Sequence, residues 1–227
     1  VVSHNICLST LLEEKTEDSM ETPEIIENNT NVKYYFTLKY DGFIPLVIKD
    51  LLLKRAKIKS LLKQNKDPVL EARSYALKTI ANATYGYFAF FGARWYSKEC
   101  AMSITAFGRK YIMDVIDKAQ KNGIKVIYSD TDSCFFTQED KSKEFILNFI
   151  NEINLELPSF MEIELENFYP RGLFVMKRGE KEEGAKKKYA LISEDGKIKV
   201  RGFETIRRDW SYIAKETQKK VLELILK

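Results

Sequence analysis

The stretch Tyr128-Ser129-Asp130-Thr131-Asp132-Ser133 decides how the rest of the sequence is interpreted. It places two aspartates one residue apart, between the apolar runs 126–127 and 134–136. Apolar runs on both sides of a short polar segment predict two strands joined by a tight turn. Two carboxylates at the tip of such a hairpin can share a divalent cation, and oxygen ligands of this kind suit Mg²⁺. Aspartate and threonine are also common turn residues, so the pattern alone is also typical of a solvated hairpin.

The composition is that of a globular protein with a highly charged surface, since 44% of the 227 residues are hydrophobic and 31% are charged. The net charge of +4 permits nucleic-acid binding without demanding it. Three scattered cysteines (Cys7, Cys100 and Cys134) and a single histidine, His4, argue against a disulfide framework or a zinc site and favour a reducing cytoplasm. No apolar run reaches the length of a membrane span, so we expect no membrane partner.

Apolar spacing predicts two helices joined by a short polar turn between about residues 44 and 85. Asp67 and Pro68 are suited to begin the second helix, and Gly86 is expected to end it. The remaining predicted elements are a surface loop at 13–31, a strand at 34–36, a long helix at 98–121, a helix at 139–154, strands at 162–168, 173–177, 187–193 and 198–202, a charged loop at 178–188 and a final helix from Asp209.

The predicted helical hairpin carries a second group of polar residues. Arg55 and Lys59 share a face of the first helix, and Lys78, Asn82 and Tyr85 share a face of the second. Antiparallel helices would bring three cations into one volume, where a polyanion such as a triphosphate relieves their repulsion. A solvated cationic face is the alternative in a chain with 37 lysines and arginines, and Tyr85 is more often core than ligand. Together, carboxylates and cations indicate metal-assisted phosphoryl transfer from a nucleoside triphosphate.

Ordered motifs extend this interpretation over nearly the whole chain. They are Gly42-Phe43-Ile44-Pro45 followed by Arg55 and Lys59, Lys78-x-x-x-Asn82-x-x-Tyr85-Gly86, the stretch 128–133, Lys186-Lys187-Lys188-Tyr189, and Arg207-Arg208-Asp209-Trp210. In these motifs the chain resembles the family B DNA polymerases, most closely the archaeal replicative type.

The resemblance implies an α+β fold, with a polymerase palm whose antiparallel sheet packs on helices, a helical-hairpin fingers subdomain and the start of a helical thumb. The implied boundaries are 1–40 for the first part of the palm, 41–90 for the fingers, 91–184 for the second part of the palm with its metal-binding hairpin, and 185–227 for the start of the thumb.

The resemblance also implies a reaction, which is template-dependent and Mg²⁺-assisted nucleotidyl transfer from a dNTP to a primer 3′-hydroxyl. Asp132 is implied as a principal ligand of two Mg²⁺ ions, with Mn²⁺ as an alternative ion. Asp130 is a supporting catalytic carboxylate, and Glu166 is a further carboxylate near the metals. No side-chain general base is needed, which is consistent with a single histidine.

The remaining site residues implied by the resemblance bind nucleotide or DNA. The residues implied to bind the incoming dNTP are Arg55, Lys59, Lys78, Asn82 and Tyr85. The residues implied to contact primer–template DNA are Gly86, Lys186, Lys187 and Tyr189.

One departure from the family affects activity. The family's first catalytic motif, Asp-x-x-Ser-Leu-Tyr-Pro-Ser-Ile, precedes the segment that resembles 1–5, and the given sequence does not contain it. Because two-metal chemistry uses carboxylates from both motifs, we expect the chain alone to be inactive. The expected partners are primer–template DNA, dNTP, the remaining polymerase segment with its exonuclease domain, and a sliding clamp. The implied location is the cytoplasm, at the nucleoid.

Three alternatives stay open at this point: a protein-primed family B polymerase, a non-catalytic DNA-binding polymerase subunit, and another palm enzyme such as a reverse transcriptase or nucleotide cyclase. Asn82 and the motifs at 186–189 and 207–210 favour the DNA-primed branch. The intact pair of Asp130 and Asp132 argues against a degenerate subunit. The cationic helical hairpin is not expected in the other palm enzymes.

Overall fold

The computed structural model describes residues 1–176 and 184–227 and mixes helices with short antiparallel strands. The helices in these ranges are α1 (Phe43–Gln64), α2 (Pro68–Ala89), α3 (Lys98–Lys121), α4 (Lys143–Glu156) and α5 (Tyr212–Leu226). The strands are β1 (Leu11–Leu12), β2 (Ser19–Glu21), β3 (Ile25–Glu27), β4 (Thr30–Val32), β5 (Tyr35–Thr37), β6 (Val126–Asp130), β7 (Ser133–Phe136), β8 (Arg171–Met176), β9 (Gly184–Ile192) and β10 (Ile198–Arg201). Short 3-10 helices occur at Val2–His4 and Glu204–Ile206.

The chain divides into two compact units. The first comprises Val1–Lys118 with Asn154–Glu162, and the second comprises Ala119–Ile153 with Ile163–Lys227. None of the helices in the described ranges is both long and apolar enough to cross a bilayer.

The first unit has a small antiparallel sheet in the order β1-β5-β2 and a core formed where this sheet meets the helices. The buried residues of that core are Ile6, Cys7, Phe36, Ile44, Ile48, Phe88, Cys100, Ala101 and Phe107. Their placement explains the predicted spacing, because apolar residues at helical intervals in α1 turn one face toward the sheet.

Asn5 connects the chain start to the beginning of α1. Its buried side-chain amide donates to the carbonyls of Thr37 and Tyr40, each at 2.8 Å, and its Oδ1 accepts from the Gly42 N–H at 2.8 Å. A buried amide whose two N–H donors and oxygen all have partners is stabilising, whereas its loss leaves backbone groups unpaired. Asn5 therefore fixes where the helix that carries Arg55 begins.

The helical hairpin is confirmed, with α1 and α2 packed together and joined through residues 65–67. As predicted, the Asp67 carboxylate caps α2, accepting from the N–H groups of Val69 (2.8 Å) and Leu70 (3.4 Å). The prediction that Gly86 ends α2 is wrong, because the helix continues to Ala89. The extra turn places Phe88 in the core with no exposed surface, and this burial outweighs the weak helix propensity of one glycine.

The segment 13–31 is more ordered than the predicted surface loop, since it contains β2, β3 and the start of β4. Asn28 and Asn29 both have positive φ, at 47° and 62°, and connect β3 to β4 by a two-residue turn. Asparagine tolerates this backbone region, which matches the twist of a hairpin. The charge of Glu21 is neutralised locally, because its carboxylate pairs with Lys15 and Lys33.

The second unit contains the two-stranded β6–β7 hairpin and a three-stranded antiparallel sheet in the order β10-β9-β8. Helix α5 covers this sheet, with Leu222 and Leu226 packed on Ala190 and Ile192. The predicted turn at 194–196 connects β9 to β10, and the final helix begins after Ser211, whose hydroxyl accepts from the Ala214 N–H at 3.4 Å.

Three predictions in this unit differ from the structure. The helix predicted from residue 139 begins only at Lys143. Residues 162–168 are not a strand, although their alternation of glutamate and apolar residues resembles one; within the described ranges they pair with no neighbouring strand. The predicted charged loop at 178–188 lies outside the described residues up to 183, and from Gly184 onward the chain is in β9.

Removal of the α2 cap tests the hairpin. Asp67→Ala leaves two helix N–H groups without their acceptor, so we expect the free energy of unfolding to fall by about 1 kcal/mol in urea titrations. Lys66→Ala, in the same turn, is the matched control and should change it by no more than about 0.5 kcal/mol. Equal losses in both variants would contradict a capping role for Asp67.

His4 makes the stability of the chain dependent on pH. Its ring stacks on Phe107 with centroids 3.9 Å apart, and burial lowers its pKa from 6.5 to about 4. Between these values the unfolded chain binds the extra proton, so we expect stability to be full above about pH 6.5 and to fall as pH decreases toward 4. Unfolding of wild type and His4→Gln across this range measures it; parallel pH profiles would refute the role of His4.

Candidate functional site

The two aspartates lie where the sequence predicts them, at the tip of the β6–β7 hairpin. Asp130 pairs with Ser133 in the ladder, which leaves only Thr131 and Asp132 in the turn. Thr131 adopts a left-handed φ of 57°, and the Asp132 N–H donates to the Asp130 carbonyl at 2.7 Å. The Ser133 hydroxyl donates to the same carbonyl at 3.2 Å. The turn therefore presents both carboxylates from a short, internally bonded loop.

This pair has the chemistry of a magnesium site, since carboxylate oxygens are the protein ligands that Mg²⁺ prefers. Within the described ranges, however, no three His, Cys, Asp or Glu side chains lie close enough together to hold a metal ion. The structure does not group Glu166 with Asp130 and Asp132; its carboxylate instead forms an ion pair with Lys199. The two carboxylates fit the ion chemically and would supply a part of its shell.

A cluster of four aromatic rings packs the β6–β7 hairpin against the neighbouring strands β8 and β9. Tyr128 and Phe135 come from the hairpin, and Phe174 and Tyr189 come from β8 and β9. Their centroids are 5.2 to 6.0 Å apart, with tilted or edge-on contacts of the kind that aromatic rings favour. This aromatic cluster joins the carboxylate hairpin to the strand that carries the lysine motif.

Lys187 lies beside the carboxylates. Its Nζ is 3.9 Å from Oδ2 of Asp130, and its backbone N–H donates to the Tyr128 hydroxyl at 2.6 Å. Lys187 has a positive φ of 60°, and its side chain is 70% exposed. A cation available to solvent next to a carboxylate pair suits an anionic ligand that approaches the hairpin. Tyr189 is buried in the aromatic cluster. The side chain of Lys186 lies outside the described part of the structure.

The predicted nucleotide-binding residues are distributed over both helices of the hairpin in the first unit. Arg55 and Lys59 are one turn apart on α1, and Lys78, Asn82 and Tyr85 share a face of α2. All except Arg55 are exposed. The Nε of Arg55 is buried and makes no hydrogen bond, which is costly for a charged donor and is relieved by an anionic acceptor.

Gly86, the remaining predicted DNA contact, is exposed, and a Cβ placed on it would meet nothing within 4 Å. The structure therefore leaves space around this position. The cationic residues of the helical hairpin belong to the first unit, and the carboxylate pair belongs to the second.

Sequence reasoning missed the residues that support the hairpin. Tyr128 lies inside the motif that was recognised, yet its contact with the Lys187 backbone depends on strand pairing. Phe135 and Phe174 fall in predicted strands, which gives them no role beyond packing. The available signal is that β6, β7, β8 and β9 each carry an aromatic residue, but this does not indicate which strands pack together.

Comparison with known proteins agrees with these motifs. A family model described as DNA polymerase family B matches residues 1–227. The chain belongs to DNA polymerase family B. It is 45% identical over 235 residues to DNA polymerase 1 of Pyrococcus abyssi and 43% identical over 236 residues to a DNA polymerase of Desulfurococcus sp. (strain Tok). Both alignments cover 100% of this chain and 28% of the relative.

A solved structure shares the same fold. The family B DNA polymerase from the hyperthermophilic archaeon Pyrobaculum calidifontis superimposes with a TM-score of 0.72 at 36% identity, covering 100% of this chain and 28% of that one. The chain thus spans about a quarter of the length of the family members it matches. The predicted resemblance to archaeal family B enzymes is confirmed, as is the mixed helix-and-sheet fold.

The Tyr128 contact can be tested apart from any reaction. Tyr128→Phe removes the acceptor of the Lys187 N–H while keeping the ring, so we expect amide hydrogen exchange at Lys187 to accelerate by about tenfold. Tyr40→Phe is a matched control, because it removes a tyrosine hydroxyl that donates to the Ser9 carbonyl in the first unit. Unchanged exchange at Lys187 in Tyr128→Phe would refute the contact.

Proposed function

We propose that this chain is part of a DNA-directed DNA polymerase that transfers nucleotides from dNTPs to a primer 3′-hydroxyl. The observation that carries the proposal is the carboxylate pair at the hairpin tip, with the Lys187 ammonium 3.9 Å from Asp130. Membership of DNA polymerase family B over residues 1–227 supports it, as do relatives that are named DNA polymerases.

The subdomains follow from the same proposal. The helical hairpin α1–α2 is the fingers at 41–90. The segments 1–40 and 91–184, with the β6–β7 hairpin, are the palm, and 185–227 begins the thumb. The segment that carries the family's first catalytic motif completes the carboxylate set, and the partners are primer–template DNA and dNTP.

Asp130 and Asp132 would hold Mg²⁺, and the bound ion would neutralise phosphate charge and lower the pKa of the attacking hydroxyl. The tight, hydrogen-bonded turn carries both carboxylates, so the backbone of the turn needs little reorganisation when a ligand binds. Lys187 pairs with backbone phosphate or minor-groove acceptors near the primer end, while Tyr189 is the buried support of that strand.

The α1–α2 hairpin binds the triphosphate. Arg55 offers a buried Nε that makes no hydrogen bond, and Lys78 offers a flexible ammonium on the neighbouring helix. Arginine binds phosphate oxygens through a planar fork, whereas lysine acts as a point charge. Lys59, Asn82 and Tyr85 lie on the same two helices and complete the nucleotide contacts.

Primer extension tests the proposal, with the chain joined to a segment that supplies the first catalytic motif. Asp132→Asn keeps the size of the side chain and removes its charge, so we expect kcat to fall by at least about a hundredfold with primer–template affinity retained. The control is Asp140→Asn, an exposed aspartate near the start of α4. Full extension by Asp132→Asn would contradict the catalytic role of Asp132. DNA binding without extension by the unsubstituted protein would favour a DNA-binding subunit.

Nucleotide binding is tested in the same assay. Lys78→Ala removes one charge-assisted bond to the triphosphate, so we expect the KM for dNTP to rise by about tenfold while primer–template affinity is unchanged. Lys63→Ala, an exposed lysine at the end of α1, should leave KM unaltered. A normal KM in Lys78→Ala would show that the cationic face is only solvated surface.

A further inference from the structure

Lys187 and Lys188 lie in a bulged part of β9. Gly184 and Tyr189 are five residues apart on β9, but their partners Met176 and Phe174 are only two residues apart on β8. The extra residues bend the strand and let successive side chains leave the ladder pattern. Lys187 takes up a left-handed φ of 60° within this bulge, a conformation that persists only where the surroundings hold it.

The chain directly after β10 packs against this bulge. Gly202 has a φ of 67°, and a Cβ placed on it would lie 2.0 Å from the Lys187 carbonyl oxygen, so only glycine permits the approach. The Phe203 ring lies under the Lys188 ammonium at 5.3 Å, and the Glu204 carboxylate accepts from that ammonium at 3.0 Å. Three consecutive residues thus contact the two lysines.

Helix α5 in turn holds Glu204. The Gln218 amide donates to Oε2 of Glu204 at 2.6 Å, and its Oε1 accepts from the Thr205 N–H at 2.8 Å. These hydrogen bonds, first from Gln218 and then from Lys188, lower the pKa of Glu204 to about 2. Phe203 packs in the same apolar cluster as Leu222, which like Gln218 lies on α5. The polar contacts of Glu204 therefore lie next to a buried apolar cluster.

The two lysines therefore differ in what they can bind. The Lys188 side chain is 32% exposed and its charge is matched by Glu204, whereas the Lys187 side chain is 70% exposed. Each lysine has a carboxylate neighbour on its own chain. The Lys188–Glu204 pair, at 3.0 Å, is shorter and less exposed than the Lys187–Asp130 pair at 3.9 Å, so a phosphate displaces the Lys187 pair at a smaller cost.

We propose that Gly202, Phe203, Glu204 and Gln218 form a clasp that positions Lys187, with Lys188 as its internal anchor and not as a DNA contact. Contacts pass from α5 through Gln218 to Glu204, from Glu204 to Lys188, and from Lys188 along the backbone to Lys187. The inference rests on the proposed role of Lys187 in DNA binding, and it adds that α5 determines where that cation lies.

Whether Glu204→Gln strengthens or weakens DNA binding distinguishes the clasp from a direct DNA contact by Lys188. Glu204→Gln removes a negative charge, which by electrostatics alone strengthens DNA binding, and it would also free Lys188 if that lysine were a DNA contact. The clasp predicts the opposite: Glu204→Gln weakens primer–template binding by about 3- to 10-fold. The measurement is fluorescence anisotropy of a labelled primer–template duplex with the full chain, without divalent ions.

A double-mutant cycle links the effect to Lys187. We expect Lys187→Ala to weaken binding and to reduce the slope of log K against log salt by about 1. Glu204→Gln combined with Lys187→Ala should bind no more weakly than Lys187→Ala, because the clasp acts through that side chain. Amide exchange at Lys187 should accelerate in Glu204→Gln, a change that a DNA contact by Lys188 would not cause.

Two further variants keep the test decisive. Glu194→Gln breaks an exposed ion pair with Lys143 in the same unit and should bind DNA as well as wild type or slightly better. If Glu204→Gln does not fold, Lys188→Met with Glu204→Gln replaces it, because neutralising both partners leaves no half-buried charge unpaired. The clasp predicts that this double variant binds more weakly and also shows faster amide exchange at Lys187, whereas loss of a DNA contact by Lys188 would weaken binding without changing that exchange.

The outcomes distinguish this inference from the proposed function. Unchanged affinity and salt slope in Lys187→Ala would overturn the DNA-binding role of Lys187 and the clasp with it. Weak binding by Lys187→Ala, together with wild-type or stronger binding by Glu204→Gln, would overturn only the clasp. Additive losses in the double-mutant cycle would also overturn it, because the two residues would then act independently.

Discussion

Ring packing beneath the β6–β7 hairpin is the interaction on which the candidate site of the second unit depends. Tyr128 and Phe135 from the hairpin meet Phe174 and Tyr189 from the sheet, and each such pair adds about 0.5–1.5 kcal/mol beyond the area it buries. Because rings have few rotatable bonds, the cluster fixes the hairpin against β9 at little entropic cost. The Tyr128 hydroxyl then reaches the Lys187 backbone, and the carboxylates acquire a cationic neighbour.

Tertiary contacts give the adjacent lysines Lys187 and Lys188 different surroundings. Lys187 turns its ammonium to solvent beside Asp130, whereas Lys188 is held by Glu204 and lies over Phe203. Nothing in their side-chain chemistry distinguishes them, and the difference comes from a bulge in β9 and from the segment that follows β10. If the motif binds DNA, as we propose, the contacts favour Lys187, because its side chain is the more exposed of the two.

Local sequence was a good guide wherever a single element decides the structure. The capping of α2 by Asp67 is predictable from the sequence, because a carboxylate directly before a proline at the first helical position can accept from the unpaired N–H groups of the first turn. Prediction failed where distant packing outweighed local preference, as at Gly86, where burial of Phe88 extends the helix. It also failed at 162–168, because an alternating pattern forms a strand only when a partner edge is available.

Motif spacing and apolar period are local properties of the chain, so they were enough to predict the hairpin with its two carboxylates, the cationic helical pair and the family. The contacts that support the site could be seen only in the folded structure. The pairing of Glu166 with Lys199, the contact of Tyr128 with Lys187 and the anchoring of Lys188 by Glu204 join residues 33, 59 and 16 positions apart. Such contacts depend on how strands align and bulge, which no local pattern encodes.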